Sequence, residues 1–216
     1  MTAASRSFTA NELGADRFVH LVGVALGVLG AVVLVWTAAE SVRQAVLVSA
    51  VTYSICLVAM LSFSAAYNLG RNGPYHVILR RLDHAAIFAM IAGTYTPFTL
   101  LGLSGGWRLS LTIAVWSFAA FGIALKLFGP IHESTRISAI FYLALGWMGL
   151  IAVGPLLQQL GALPLVLIGI GGCIYSVGVI FHALEKMRYQ NAIWHGFVLV
   201  AAIVQFAAVF AVVRSS

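Results

Sequence analysis

Between Arg136 and Glu185 the chain runs for 48 residues, Ile137 to Leu184, without one charged side chain. As a single helix that stretch would reach roughly 72 Å at about 1.5 Å per residue, more than twice a hydrocarbon core of about 30 Å, so it must fold back on itself. The segment Pro155-Leu-Leu-Gln-Gln-Leu-Gly-Ala-Leu-Pro164 supplies the punctuation: two glutamines, a glycine, and a proline suited to the first turn of the next helix. Five further uncharged runs, 18–39, 44–70, 84–107, 109–125 and 189–213, fit one span each. With 62% apolar and 8% charged residues, against about 25% charged in a soluble domain, lipid has to be the solvent. The expected fold is an all-α bundle of seven transmembrane helices, at about 18–38, 46–67, 84–103, 108–127, 137–157, 163–183 and 192–213.

Residues 1–17 are expected to form an N-terminal cytoplasmic segment, and 18–216 the membrane domain. Thr9-Ala-Asn-Glu12 fits a capping box, which predicts a short helix bearing Leu13 and Phe18 along the inner surface and leading into span one. Glu12 and Asp16 precede an apolar stretch too long for the core of a cleaved signal peptide. The net charge of +6 is assigned to a rim that meets anionic headgroups, so membrane lipids are the expected partners and nucleic acid is not. Cys56 and Cys173 fall near the middles of spans two and six and are expected as free thiols. Gly23-x-x-x-Gly27-x-x-x-Ala31, Gly169-x-x-x-Cys173 and Gly172-x-x-x-Ser176 are small-residue patterns for helix packing, with a homo-oligomer face as the alternative.

No Asp, Glu, Lys or Arg falls at the middle of any span, which weighs against a proton pump or an ion-coupled transporter with a central carboxylate. Polar side chains collect instead at the inner ends: His20 on span one, Ser64 and Asn68 on span two, Asp83 and His84 at the start of span three, His182 on span six, Asn191 and His195 on span seven. Ser64/Asn68 and Asn191/His195 are spaced i, i+4, which puts each pair on one helical face. A shared polar site at one depth is the expectation, because hydrocarbon penalises unpartnered polar groups. His76 and His132 fall in loops near Pro74 and Pro130 and are expected to be solvated.

The stretch Leu82-Asp83-His84-Ala-Ala-Ile-Phe-Ala-Met-Ile-Ala-Gly-Thr-Tyr-Thr-Pro97-Phe, with Ser64-x-x-x-Asn68 before it and Asn191-x-x-Trp194-His195 after it, resembles the hemolysin III family, bacterial relatives of the adiponectin and progestin receptors. His20 followed by Gly23, and Gly172-x-x-Tyr175-x-x-Gly178, resemble it too, from about Glu12 to the C-terminus. The resemblance implies seven spans with an inward N-terminus. It also implies a zinc held by three imidazoles, at the positions that here are Asn68, Asn191 and His195, with Asp83 holding a water. Two of those three positions carry asparagine, whose carbonyl suits harder ions. A set of His20, His195 and Asp83 is the alternative at the same depth, and a purely hydrogen-bonded cluster is the other.

Three functions are open on these residues. The first is a hemolysin III-like membrane protein whose polar cluster is structural or binds a lipid headgroup, acting in membrane and lipid homeostasis. The second, implied by the receptor relatives, is a zinc-dependent hydrolase of a lipid amide or ester, in which Asp83 would position or deprotonate water and Ser64 would polarise the carbonyl. The third is a cytolytic pore, against which stands the lack of a polar stripe along any span. The expected home is the bacterial inner membrane.

Orientation follows from counting Lys and Arg on each side of the spans. Arg6, Arg17, Arg71, Arg80, Arg81, Lys126, Arg136, Lys186 and Arg188 share one side, and Arg43, Arg108 and Arg214 the other. The richer side should be cytoplasmic. A reporter fused after Ser216 is therefore expected to read as external, and a cytoplasmic signal would invert the topology.

Overall fold

The spacing of charges sets the element lengths, and the computed structural model, which describes residues 8–71, 73–130, 135–184 and 186–216, follows it. The helices are α1 (Ala10–Ala39), α2 (Gln44–Leu69), α3 (His76–Gly102), α4 (Gly105–Phe128), α5 (Thr135–Trp147), α6 (Val153–Leu160), α7 (Ala162–Ala183) and α8 (Gln190–Ser215), with a 3-10 turn, Met148–Ala152, between α5 and α6. Among the described residues seven helices are long and apolar enough to cross a membrane, the fifth being the composite Ile137–Leu160. Residues 1–7 and the loop position His132 lie outside the described residues.

The first helix starts earlier than span one was expected to. Thr9 caps it, accepting from the Glu12 amide, while the Glu12 side chain accepts from the Thr9 amide at 2.9 Å. The expected surface helix and the first span are thus one unbroken helix, and Glu12, Asp16 and His20 are buried along it. At its far end the chain turns within a few residues into α2.

The 48-residue run folds back as its length requires, but the reversal is narrower than the Pro155–Pro164 segment suggested. Gln158 and Gln159 still belong to α6, and the turn rests on Gly161, whose φ of +74° favours a residue without a Cβ. Pro155 and Pro164 both sit in the first turn of their helices, where a missing N–H costs nothing. The break between α5 and α6 is stitched to α3: the Tyr95 hydroxyl donates to the Gly146 carbonyl at 2.7 Å and accepts from the Gly149 amide at 2.6 Å. Those are groups that a change from α to 3-10 pairing leaves short of partners.

The bundle is built around α3, which packs on α2 and α4 and also touches α5, α6 and α8. It is the most enclosed span, with 72% of its most apolar stretch buried against 17–44% in the others. Helix α1 packs on α2 and α8, and α8 on α7, which closes the arrangement from first helix to last. Gly27 meets Leu61 of α2, and Gly172 faces Trp147, whose indole N–H donates to Ser176 at 3.2 Å. Gly169 and Cys173 do otherwise: Gly169 has open space in front of it and Cys173 is exposed, so this pair forms no helix contact. Cys56 is buried where α2 crosses α3, and both cysteines are free thiols.

That crossing is tight. A Cβ on Gly93 would lie 2.7 Å from the Cys56 Cβ and 2.8 Å from its sulfur. Gly93→Ala is expected to destabilise the protein by about 1–3 kcal/mol through overpacking, and Cys56→Ala should recover part of that loss. Thermal unfolding in detergent, single variants against the double, checks it.

Candidate functional site

Helix α1 presents Glu12, Asp16 and His20 at i, i+4, i+8, one turn apart on a single buried face. Each makes a connection to α8 or its approach. Glu12 Oε1 accepts from the Tyr189 amide at 2.9 Å, holding the residue before α8, which has a left-handed φ of 57°. Asp16 Oδ1 lies 2.7 Å from His195 Nδ1. The rings of His20 and His195 sit 4.3 Å apart between centroids.

The second oxygen of Asp16 faces α2. Arg71 Nη2 donates to Asp16 Oδ2 at 3.2 Å and to Asn68 Oδ1 at 3.2 Å, while its Nε donates to the Asn68 carbonyl at 3.1 Å. Asp16 thus has a guanidinium on one oxygen and an imidazole on the other, the pairing that lets a carboxylate stay buried. His20 Nε2 lies 3.6 Å from Asp16 Oδ1 and is buried without a hydrogen-bond partner. Asp83, from α3, is also buried, and its neighbours are His195 and the Ser64 hydroxyl.

His20, Asn68, Arg71, Asp83 and His195 of this network border one cavity of about 1030 Å³. His20, Ser64, Asn68, Asp83, Asn191 and His195 line its end near the N-terminus of α1, and Met90, Phe98, Leu156 and Leu165 continue the wall deeper in the bundle. Of the other histidines, His84 lines the same cavity, and its carbonyl accepts from the Tyr142 hydroxyl at 3.0 Å. His182 packs on Trp194 at 4.8 Å. His76 is no loop residue: it opens α3, half-buried, its ring 5.0 Å from that of Tyr67.

The zinc set implied by the resemblance does not fit. The Asn68 side chain donates to the Ser64 carbonyl at 3.0 Å and points its oxygen at Arg71, so a cation already faces the first ligand position. Asn191 offers another carboxamide, which leaves His195 as the lone imidazole of that set. The alternative of His20, His195 and Asp83 is realised in part. The two imidazoles come together, but the carboxylate between them is Asp16. Asp16 and Arg71 are the site residues that the polar motifs pass over. The signal for Asp16 was the capping box, because a helix that begins at Ala10 places Asp16 one turn before His20 on the same face.

The family model described as haemolysin-III related matches residues 10–206. The hemolysin-3 homolog of Bacillus subtilis (strain 168) is 36% identical over 192 residues, covering 89% of this chain and 90% of its own. Hemolysin-3 of Bacillus cereus is 31% identical, with 89% and 87% covered. The human monocyte to macrophage differentiation factor is 28% identical over 173 residues, 76% of this chain and 69% of its own.

The two buried carboxylates should respond differently to neutralisation. Asp16→Ala leaves Arg71 and His195 without their partner inside the bundle and is expected to cost about 3–5 kcal/mol. Asp83→Asn keeps the Ser64 contact and gives up only the attraction to His195, with no guanidinium among the described residues paired to it, so the loss of stability should be much smaller. Paired thermal melts of the two variants check the contrast.

Proposed function

Because the chain belongs to the haemolysin-III family, we propose that this multi-pass membrane protein takes a single membrane lipid into its bundle and serves lipid homeostasis in the bacterial plasma membrane. The N-terminal face is then the cytoplasmic one, as the Lys and Arg distribution favours. The observation that carries this reading is the cavity. Its volume of about 1030 Å³ lies at the top of the roughly 300–1,000 Å³ range of small-molecule pockets. Its charged and imidazole lining, His20, Asp83, His195, Arg71, Arg80 and Lys126 among it, gathers at one end. An acyl chain along the apolar wall, with its polar group at the cluster, matches that division. A conducting path would call for polar lining from end to end.

A second reading, hydrolysis of the bound lipid at an amide or ester, draws support from Asp83. A buried carboxylate at the cavity wall, beside His195 and a serine hydroxyl, has no guanidinium partner among the described residues. Retention of such a group at a cost in stability is a mark of functional sites. Asp83→Asn should then abolish release of fatty acid from a ceramide or a fatty-acyl ester and leave binding intact.

The binding reading has a direct test. Gly169 lines the cavity, and a Cβ added there would meet nothing within 4 Å, so Gly169→Phe should fill the space without breaking a contact. Protein purified in detergent is expected to carry about one lipid per chain by mass spectrometry, as a preformed pocket of this size implies. The variant should carry much less at unchanged thermal stability. An empty wild-type protein, or equal lipid in both, would overturn the proposal.

A further inference from the structure

We propose that Asp16, His20 and His195 form a binding site for a divalent transition-metal ion, zinc by its donor chemistry, which ties the first helix of the bundle to the last. Each residue offers one ligand atom, and the three atoms lie within 4.8 Å of one another. Ligands at about 2.0–2.1 Å from a tetrahedral zinc stand roughly 3.3 Å apart. The Asp16 Oδ1 to His20 Nε2 separation of 3.6 Å and the Asp16 Oδ1 to His195 Nδ1 separation of 2.7 Å bracket that figure. Two imidazoles and a carboxylate suit zinc and leave a fourth position for water or a ligand.

A second observation points the same way. His20 is only 5% exposed at its side chain, and its Nε2 has no hydrogen-bond partner, although it faces the carboxylate of Asp16. A buried ring nitrogen left unpaired costs free energy, and a lone pair directed at a cation removes that cost. The carboxylate is prepared for this arrangement. Arg71 engages Oδ2, whereas Oδ1 is the oxygen turned to both imidazoles, so Arg71 orients Asp16 without occupying the ligand atom.

This set has only His195 in common with the three positions that the family resemblance implies. It does not depend on a lipid in the cavity. Its two α1 members come from consecutive turns of a helix that starts with a formed capping box, so they are held before any ion arrives. His20 and His195 also line the cavity, which gives the fourth position a route to whatever the cavity holds.

The test uses the full chain with any affinity tag removed, saturated with Zn²⁺, freed of excess and assayed for metal by mass spectrometry, with Co²⁺ as a spectroscopic substitute. Wild type is expected to retain one zinc per chain, to give the absorption of tetrahedral Co²⁺, and to melt at lower temperature after treatment with a chelator. His20→Gln, which replaces a ring whose Nε2 makes no hydrogen bond among the described residues, should fold with an unchanged metal-free melting temperature and lose the zinc, the cobalt spectrum and the chelator effect. Asn191→Ala should keep all three. Wild type without zinc and without a thermal response to Zn²⁺ would overturn the proposal. So would full zinc in His20→Gln, or its loss in Asn191→Ala, which would return the ion to the positions of the resemblance.

Discussion

A carboxylate inside a lipid-embedded bundle must be answered by a cation or a set of donors, and the arrangement of this protein at its N-terminal face depends on how Asp16 is answered. Arg71 comes to it from the end of α2 and His195 from the first turns of α8. Those two contacts set the rotation of α1, because they fix which face is turned inward. Glu12 and His20, one turn to either side, then fall against Tyr189 and His195. Asn68 is drawn into the same network by Arg71 and holds its side chain away from the role that a histidine would take there.

The seven spans were legible because lipid imposes a coarse constraint that counting satisfies. A run without charge is a span, and one of 48 residues is two. The capping box at Thr9 was also legible, since it is a local interaction between residues three apart. What could not be read was tertiary. The 3-10 turn at Met148–Ala152 depends on a tyrosine hydroxyl that arrives from α3, and nothing within the fifth span announces it. Gly169-x-x-x-Cys173 has the spacing of a packing motif, but that spacing is satisfied equally by a face turned to open space.

The candidate site divides along the same line. Ser64, Asn68, Asp83, Asn191 and His195 were identified by depth and periodicity, and all of them line one end of one cavity. Asp16 was hidden because it lies ahead of the first uncharged run, where acidic residues are ordinarily solvated. Its burial follows from a helix that starts at Ala10 and enters the bundle directly. Arg71 was hidden for a related reason. A basic residue at a span end normally reports topology, and here it also turns back to meet a carboxylate.

Asp16 and His195 are 179 residues apart in the chain. A ribosome that has released α1 into the bilayer will make nearly the whole protein before the imidazole that answers Asp16 exists. Until then α1 carries a carboxylate and a histidine on the face it will bury, and the end of α2, with Asn68 and Arg71, is the part of the network already synthesised nearby. Closure of the bundle is therefore a late event in biosynthesis. The polar face of α1 acts as an address that only the final helix completes.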